Sequence, residues 1–383
     1  MKRLGILGAT GSIGRQGIDV AARHPDRLRV VVLATGSDRE GLCAQAQRLQ
    51  PEGVALERAD DVETARAALQ AAAPGARVEV GPGAAVRILE RVTCEVVLNG
   101  VVGAAGLAPS LAALAAGARL ALANKETLVV GGALVEAALA RGGELVPVDS
   151  EHSAALQCLG GRPAQEVARM TLTASGGPLR RHPSWRDATP AEVLAHPVWS
   201  MGPRITVDSA LLFNKGLELI EARWLFSLAW SQLAAVLHPQ ARVHALVEFI
   251  DGSVVAQAAP PDMRLPIQLA LSWPERWSDD GLPRLDHPLA ALEFEPIAPG
   301  RFPAFDLALA AGREGGTTPC VANAADEVAV RAFLDGAISL GQVPEVIARV
   351  LGAHASKPVE SLTQLQAIDA WARDEARSQA VRV

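Results

Sequence analysis

The sequence predicts an α/β protein in three parts: an N-terminal doubly wound parallel sheet, a central α+β domain and a C-terminal helical domain. Three observations predict it. A short apolar run, Leu4–Leu7, leads straight into a glycine turn, Gly8-Ala9-Thr10-Gly11-Ser12-Ile13-Gly14, and then into a helical pattern. Apolar strand patterns and Ala-rich helical patterns alternate from there to Val148, as a parallel sheet with crossover helices requires. Beyond His152 the alternation gives way to strand runs with a hairpin signal, and from Ala304 onward to helical patterns alone.

The glycine turn comes first. In G-x-x-G-x-x-G the glycines let the backbone approach a pyrophosphate, and the helix that follows presents N–H groups and a partial positive charge to it. Strand, turn and helix in that order make this a Rossmann-like dinucleotide site. The second strand is Leu28–Leu33, followed by Ala34-Thr35-Gly36-Ser37-Asp38-Arg39. NAD-specific sites place an acidic residue at this strand end. Here the end itself is not acidic, and Arg39 can meet a 2′-phosphate, so NADP is favoured over NAD, with Asp38 as the contrary sign. Ser37 and Glu40 also have the spacing of a capping box.

Further strands are expected at Val54–Leu56, Val78–Val80, Glu95–Leu98, Arg119–Leu122 and Glu144–Val148. Helices are expected around Val62–Gln70, Gly106–Ala116 and Thr127–Ala140. The Arg119–Leu122 strand runs into Asn124-Lys125-Glu126, which is either a cap with an exposed lysine or part of a site beside Asp149.

Two acidic stretches carry the chemistry: Val148-Asp149-Ser150-Glu151-His152 and Val207-Asp208-Ser209 running on to Asn214-Lys215-Gly216-Leu217-Glu218. The first lies at a strand's carboxyl end, where ligands of open α/β sheets bind. Alone, Asp149 or Ser150 reads as a helix cap. With Glu218 the pair Asp149 and Glu151 makes a three-carboxylate, all-oxygen set. Such a set suits Mg²⁺ or Mn²⁺, with Co²⁺ also admitted, better than zinc. Asn214 and Glu218 are four apart with Lys215 beside them, so amide, ammonium and carboxylate share a helix face.

In the middle of the chain, Met170–Thr173, Val243–Ile250 and Ser253–Gln257 read as strands of a second, antiparallel sheet, with Asp251-Gly252 as a hairpin turn. Ala174-Ser175-Gly176-Gly177-Pro178 is a turn whose Ser175 either binds an anion or only shapes the turn. The stretch 180–204 has prolines and few apolar anchors, and reads as a lid. It contains His196 and Trp199, the tryptophan either closing over substrate or simply packing. Domain bounds of 1–148, 149–276 and 304–383 follow, with 277–303 as a linker.

Composition bounds the function. The chain has 383 residues, 49% hydrophobic and 20% charged, enough for two or three cores. Its net charge of −6 argues against a nucleic-acid groove. Four scattered cysteines, Cys43, Cys94, Cys158 and Cys320, lack paired zinc spacing and read as reduced thiols of a cytoplasmic protein. Gly-rich sequence after Met1-Lys2-Arg3 argues against a signal peptide. Pro109, Ser110, Gly117 and Arg119 break up the only Ala/Leu-rich candidate for a membrane span.

Taken together and in order, the Gly8–Gly14 turn, Asn124-Lys-Glu126, Val148–His152, Ser175-Gly-Gly177, His196-Pro-x-Trp-Ser-Met-Gly202, Val207-Asp-Ser209, Asn214–Glu218, Asn323-Ala-Ala325 and Glu327 resemble 1-deoxy-D-xylulose-5-phosphate reductoisomerases. The resemblance spans essentially the whole chain. It implies an NADPH- and metal-dependent enzyme of non-mevalonate isoprenoid biosynthesis, a homodimer, acting on a phosphorylated sugar by retro-aldol cleavage, aldol rejoining and reduction. By resemblance, Thr10, Gly11, Ser12, Ile13, Gly36, Asn124, Glu126 and Gly202 contact NADPH, with Ser37 and Arg39 at its 2′-phosphate end. Asp149, Glu151 and Glu218 hold the metal. Ser175, Ser209, Asn214 and Lys215 take the phosphate, and Lys125, Ser150, His196 and the lid's Trp199 line the rest of the substrate.

The chain departs from the family where basic residues are usual at the positions of Ser37 and Pro203, and where an Asn is usual at Asp326. The rival reading is a simple NADP-dependent dehydrogenase of a phosphorylated sugar or semialdehyde. Members that form acyl intermediates need a nucleophilic cysteine at a strand-to-helix turn, and Cys158 is expected inside a helix.

Overall fold

The computed structural model describes residues 1–182, 184–195, 198–199, 202–278, 281–285 and 291–383. The described chain divides into two compact units. The first comprises Met1–Thr127, Val135–Asp149 and Asp262–Leu282, and the second Leu128–Leu134, Ser150–Pro261 and Pro283–Val383.

The first unit alternates as the sequence predicts. Its strands are β1 (Lys2–Leu7), β2 (Leu28–Thr35), β3 (Gly53–Leu56), β4 (Arg77–Val80), β5 (Val96–Asn99), β6 (Arg119–Leu122) and β7 (Glu144–Pro147). Between them run α1 (Ser12–Arg23), α2 (Arg39–Leu49), α3 (Val62–Ala72), α4 (Ala84–Arg91), α5 (Leu107–Ala115) and α6 (Glu126–Leu139). All neighbouring strands are parallel, in the order β4-β3-β2-β1-β5-β6-β7. The chain builds outward from β1 to one edge, then returns to β5 and builds to the other. The loops after β1 and β5 therefore face each other at the switch point, where such sheets bind ligands. The central strands are apolar on both faces because helices cover both, and Val31, Val32 and Leu33 are fully buried.

The sequence reading did not single out α2 and α4. Helix α2 is mostly polar and buries only Leu42 and Ala46, so its apolar period is faint. The expected capping box at Ser37 is also displaced by one residue. Asp38 is the N-cap of α2, and its carboxylate accepts from Gly41 N at 2.9 Å.

The second unit contains α7 (Ser150–Leu159), β8 (Val167–Ala174), α8 (Pro190–Leu194), α9 (Pro203–Ala210), α10 (Phe213–Phe226), β9 (Leu233–Leu237), β10 (Val243–Phe249) and β11 (Val254–Ala258). After α11 (Arg264–Ser272), which belongs to the first unit, come β12 (Glu295–Pro296), α12 (Pro303–Glu314), α13 (Thr318–Leu334), α14 (Val343–Gly352) and α15 (Leu362–Ala380). The sheet order is β11-β10-β8-β9-β12. The sequence predicts an antiparallel sheet, and the sheet is mixed: β9 runs parallel to β8. The helical connection through α8–α10 is a crossover, which returns the chain in the same direction. The hairpin at Asp251-Gly252 is formed, with β10 and β11 antiparallel.

Two cores flank α10. Leu219 and Ala222 pack with α7 and the sheet, while Phe213, Leu217 and Ile220 pack with α12, α13 and α14. The 180–204 stretch is better anchored than its sequence suggests. Ala188 and Val193 are buried in the second of these cores, Trp185 packs against it, and Thr189 and Glu192 form a capping box on α8. His196 and its neighbours Pro197, Ser200 and Met201 lie outside the described residues.

Candidate active site

The nucleotide cradle follows from sterics. Gly8 adopts φ +75°, and a Cβ there would stand 2.6 Å from the Gly100 carbonyl oxygen of the loop after β5. A Cβ at Gly14 would stand 2.3 Å from the Gly8 carbonyl oxygen. These two positions admit only glycine, and they draw the β1 turn tight against the start of α1. Gly11 is the N-cap of α1 with no side-chain cap and no acidic residue in the first turn, so that helix end is left to a ligand. Gly11 and Ser12 are exposed, Ile13 is half-buried, and the Thr10 hydroxyl meets Thr35 at 2.7 Å. Gly36, Ser37 and Arg39 follow β2, with Ser37 and Arg39 exposed.

Asn124 and Glu126 start α6 and are buried. Asn124 donates to Val101 O at 2.6 Å and to Gly103 O at 3.0 Å, while its carbonyl oxygen accepts from Thr127 N at 2.9 Å. It therefore pins the loop after β5 to the helix. Gly202, on the second unit, is the N-cap of α9.

The acidic set converges. Asp149, Glu151 and Glu218 each offer a carboxylate oxygen, and these oxygens lie within 4.8 Å of one another. Asp149 and Glu151 come from the start of α7, and Glu218 from the second turn of α10. Lys125 Nζ lies 2.6 Å from Asp149, and both are largely buried. Lys215 Nζ lies 2.9 Å from Glu151 Oε1 and also pairs with Glu218. Burial works to lower the Lys215 pKa, but the charges of Glu151 and Glu218 outweigh it and raise the value above that of an ordinary lysine. Asn214 donates to Glu218, and the Ser150 hydroxyl to Glu151. The donors are all carboxylate oxygens, and two ammonium ions already stand against them. That is the electrostatic demand a hard divalent cation meets.

Ser175 and Ser209 are brought together by backbone contact. Gly177 adopts φ +65°, and a Cβ there would stand 2.7 Å from Ala210 Cα. The turn after β8 thus lies directly on the end of α9. A buried Leu212 in the left-handed region, φ 55°, then turns the chain into α10, so that Asn214 and Lys215 follow at once. Trp199 is half-buried, its ring centroid 6.2 Å from that of His244.

Three features went unread in the sequence. His152 is fully buried, its Nε2–H donating to Glu218 O at 2.9 Å, with Nδ1 3.4 Å from Glu221. This ties α7 to α10 and sets Glu151 against Glu218. The matching three-residue spacings, Asp149 to His152 and Glu218 to Glu221, were the available signal. Asp149, His152 and Glu221 also lie close enough to share an ion, but the two imidazole nitrogens already face Glu221 and the Glu218 carbonyl. The second feature is His244, buried on β10, whose pKa burial lowers against the opposing charge of Glu151.

The third is a buried network on α9. Arg204 reaches Asp208 at 3.5 Å, Asp326 at 3.3 Å, Glu327 at 3.2 Å and Asn323 at 3.0 Å, locking α9 to α13. Asp326, one of the departures, is fully buried. Burial first, then the charge of Asp208, push its carboxyl pKa well above the usual range.

Cys158 is buried within α7, and burial pushes its thiol up to about 11. It is no nucleophile at a strand-to-helix turn.

Comparison with known proteins gives a consistent result. A family model described as 1-deoxy-D-xylulose 5-phosphate reductoisomerase matches residues 4–132. Models of that enzyme's C-terminal domains match residues 145–226 and 258–375. The chain is 50% identical over 382 residues to the 1-deoxy-D-xylulose 5-phosphate reductoisomerase of Beutenbergia cavernae, covering 97% of this chain and 96% of that one. It is 48% identical over 381 residues to the Moorella thermoacetica enzyme, covering 98% and 97%. Among solved structures, the Zymomonas mobilis reductoisomerase in complex with NADPH superposes with a TM-score of 0.91 at 35% identity, covering 100% of both chains. A reductoisomerase in complex with NADPH, fosmidomycin and magnesium gives 0.90 at 35% identity, covering 99% and 98%.

Proposed function

The chain belongs to the 1-deoxy-D-xylulose 5-phosphate reductoisomerase family, and on that premise we propose a role for each residue of its site. The activity is the NADPH- and divalent-metal-dependent rearrangement and reduction of 1-deoxy-D-xylulose 5-phosphate to 2-C-methyl-D-erythritol 4-phosphate, an oxidoreductase step of isoprenoid biosynthesis. The dehydrogenase alternative is not favoured.

The convergence of Asp149, Glu151 and Glu218 within 4.8 Å carries the assignment. These three hold the ion, Mg²⁺ or Mn²⁺. When bound, it supplies Lewis acidity to neighbouring carbonyl and hydroxyl oxygens of the substrate. Lys125, paired with Asp149, lines the hydroxyl side of the substrate with Ser150 and His196. Lys215 now neutralises Glu151 and Glu218. Once those carboxylates are otherwise neutralised, its ammonium meets the substrate phosphate. Ser175, Ser209 and Asn214 add neutral donors, which with one lysine suit a phosphate. Trp199 closes over the substrate and keeps water from it.

Thr10, Gly11, Ser12 and Ile13 receive the NADPH pyrophosphate at the start of α1, a fit supported by the uncapped helix end that the tight Gly8–Gly14 turn presents. Gly36, Ser37 and Arg39 take the adenosine end, and Asn124, Glu126 and Gly202 complete the contacts. Residues 1–148 form the cofactor domain, to which α11 also belongs; the rest of 149–276 forms the catalytic domain with its lid at 180–204, 277–303 a linker, and 304–383 a supporting helical domain. The enzyme acts as a cytoplasmic homodimer. Ile250, Val254 and Val255, exposed apolar residues on or beside the edge strand β11, favour a partner there. No helix among the described residues is long and apolar enough to cross a membrane.

Glu218→Gln tests the core of the assignment. Turnover should be lost, because one of three anionic ligands becomes neutral, while the NADPH Kd stays within about 2-fold. A variant that turns over normally in EDTA-treated buffer would remove Glu218 from the metal site.

A further inference from the structure

The adenosine end of the cofactor site holds an arginine that no motif singles out. Arg58 follows β3 and lies beside the loop after β2. Its backbone N–H donates to Gly36 O at 2.8 Å, and its Nη2 stands 3.4 Å from the point a Gly36 Cβ would occupy. The side chain thus lies along the bare backbone of Gly36. Among the described residues, Arg58 and Arg39 form no ion pair, and both are exposed.

Nearby acids explain why. Asp38 accepts from Gly41 N at 2.9 Å and caps α2. Glu57 accepts from Gly83 N at 2.8 Å and Ala85 N at 2.7 Å, holding the start of α4. Asp61 accepts from Glu63 N at 3.0 Å and Thr64 N at 3.1 Å and caps α3. Three carboxylates that flank these arginines in sequence are therefore engaged with backbone N–H groups at helix starts. Asp60, the remaining acid of that loop, is exposed and forms no ion pair with either arginine. Asp38, the residue that could have read as a ribose ligand, is a cap.

We propose that Arg58 is the residue that selects NADPH over NADH, with its guanidinium on the 2′-phosphate across Gly36 and Arg39 as the second cation. A guanidinium offers two parallel N–H donors to phosphate oxygens, and a 2′-hydroxyl can use only one of them. A Cβ at Gly36 would already touch the guanidinium, so glycine leaves the most room for Arg58 and a phosphate together. Ser37 supplies a hydroxyl in place of the basic residue usual in the family, and Arg58 supplies the missing charge from the next strand. The proposal rests on the reading that the nucleotide lies at the Gly8–Gly14 turn.

The test is equilibrium binding to the full chain, by calorimetry, of adenosine 2′,5′-bisphosphate and of AMP, which differ only in the 2′-phosphate. Arg58→Ala should weaken the bisphosphate by ~10-fold or more, the scale of a lost charge-assisted contact, and leave AMP within ~2-fold. Arg58→Glu should weaken the bisphosphate further, again with little effect on AMP. Arg39→Ala should have a smaller effect of the same kind. Equal weakening of both ligands by Arg58→Ala, no weakening of either, or a larger selective effect of Arg39→Ala would each overturn the proposal. Gly14→Ala separates the two readings. If it leaves both ligands bound as before, the turn is not the nucleotide site, and the underlying reading fails whatever Arg58 does.

Discussion

Lys215→Met should separate two roles that the site gives one ammonium. Lys215 is 3% exposed and pairs with Glu151 Oε1 at 2.9 Å and with Glu218. The substitution keeps an unbranched side chain, one atom shorter, and removes its charge. Stripping one partner from a buried ion pair costs about 3–5 kcal/mol, because the remaining charge stays buried and uncompensated. Here the remaining charges are two carboxylates with Asp149 close by, so the upper part of that range is expected without metal. A divalent ion supplies the missing positive charge, so most of the loss should be recovered in saturating Mn²⁺. Linkage fixes the companion result: each 1.4 kcal/mol recovered must appear as roughly tenfold tighter Mn²⁺ binding to the variant. About 3 kcal/mol recovered thus predicts roughly a hundredfold tighter Kd. Denaturant unfolding in EDTA and in Mn²⁺, with calorimetric Mn²⁺ titration, checks both sides. At the same time kcat/KM for the phosphorylated substrate should fall by ~10²-fold, with little change for unphosphorylated deoxyxylulose. Equal destabilisation in the two buffers with an unchanged Mn²⁺ Kd would refute the view that Lys215 shares its carboxylates with the ion.

Two further expectations follow from named residues. The raised Asp326 pKa means the folded protein keeps a proton that the unfolded chain releases, so this group's contribution to stability falls as pH rises above the unfolded value near 3.8. Asp326→Asn should therefore stabilise the chain by roughly 1–3 kcal/mol at pH 8, with the gain shrinking toward pH 4; urea midpoints across that range that shift equally would count against it. Trp199→Ala should slow turnover several-fold while leaving Mn²⁺ affinity within ~2-fold, since the ring packs on His244, which is not one of the three metal carboxylates; a parallel loss of metal binding would place the tryptophan in the fold and not in the lid.

What the sequence made legible is local. The strands of the first sheet are short apolar runs next to glycine turns, and Arg119–Leu122 is found where the pattern puts it. Asp149, Glu151 and Glu218 could be read as one site because their residue types share a chemistry that a soluble surface has no need to gather. What stayed hidden depends on distant partners. Leu233–Leu237 has the composition of a helix as much as of a strand, and only pairing with β8 decides it. His152 and Glu221 look like ordinary helix residues until α7 meets α10. Lys215 could be placed on one helix face with Asn214 and Glu218, but its contact with Glu151, 64 positions away, could not be read.

The cations at the candidate site and at the cofactor end are held in two ways, and the difference bears on binding. Lys125 and Lys215 are buried and Arg204 nearly so, and each is held by carboxylates that would be costly to bury alone. On the roles proposed above, binding at the metal and phosphate residues is an exchange: Lys215 must be drawn from Glu151 and Glu218 before it can serve a phosphate. Arg39 and Arg58 are the opposite case. Asp38, Glu57 and Asp61 are engaged with backbone N–H groups, and among the described residues neither arginine has an ion-pair partner for an arriving phosphate to displace. A site that exchanges charges binds its ligands conditionally, each depending on the other. A site with open cations binds on its own terms. The proposed roles therefore predict a cofactor end occupied irrespective of metal, and a metal and substrate phosphate that depend on each other through one ammonium.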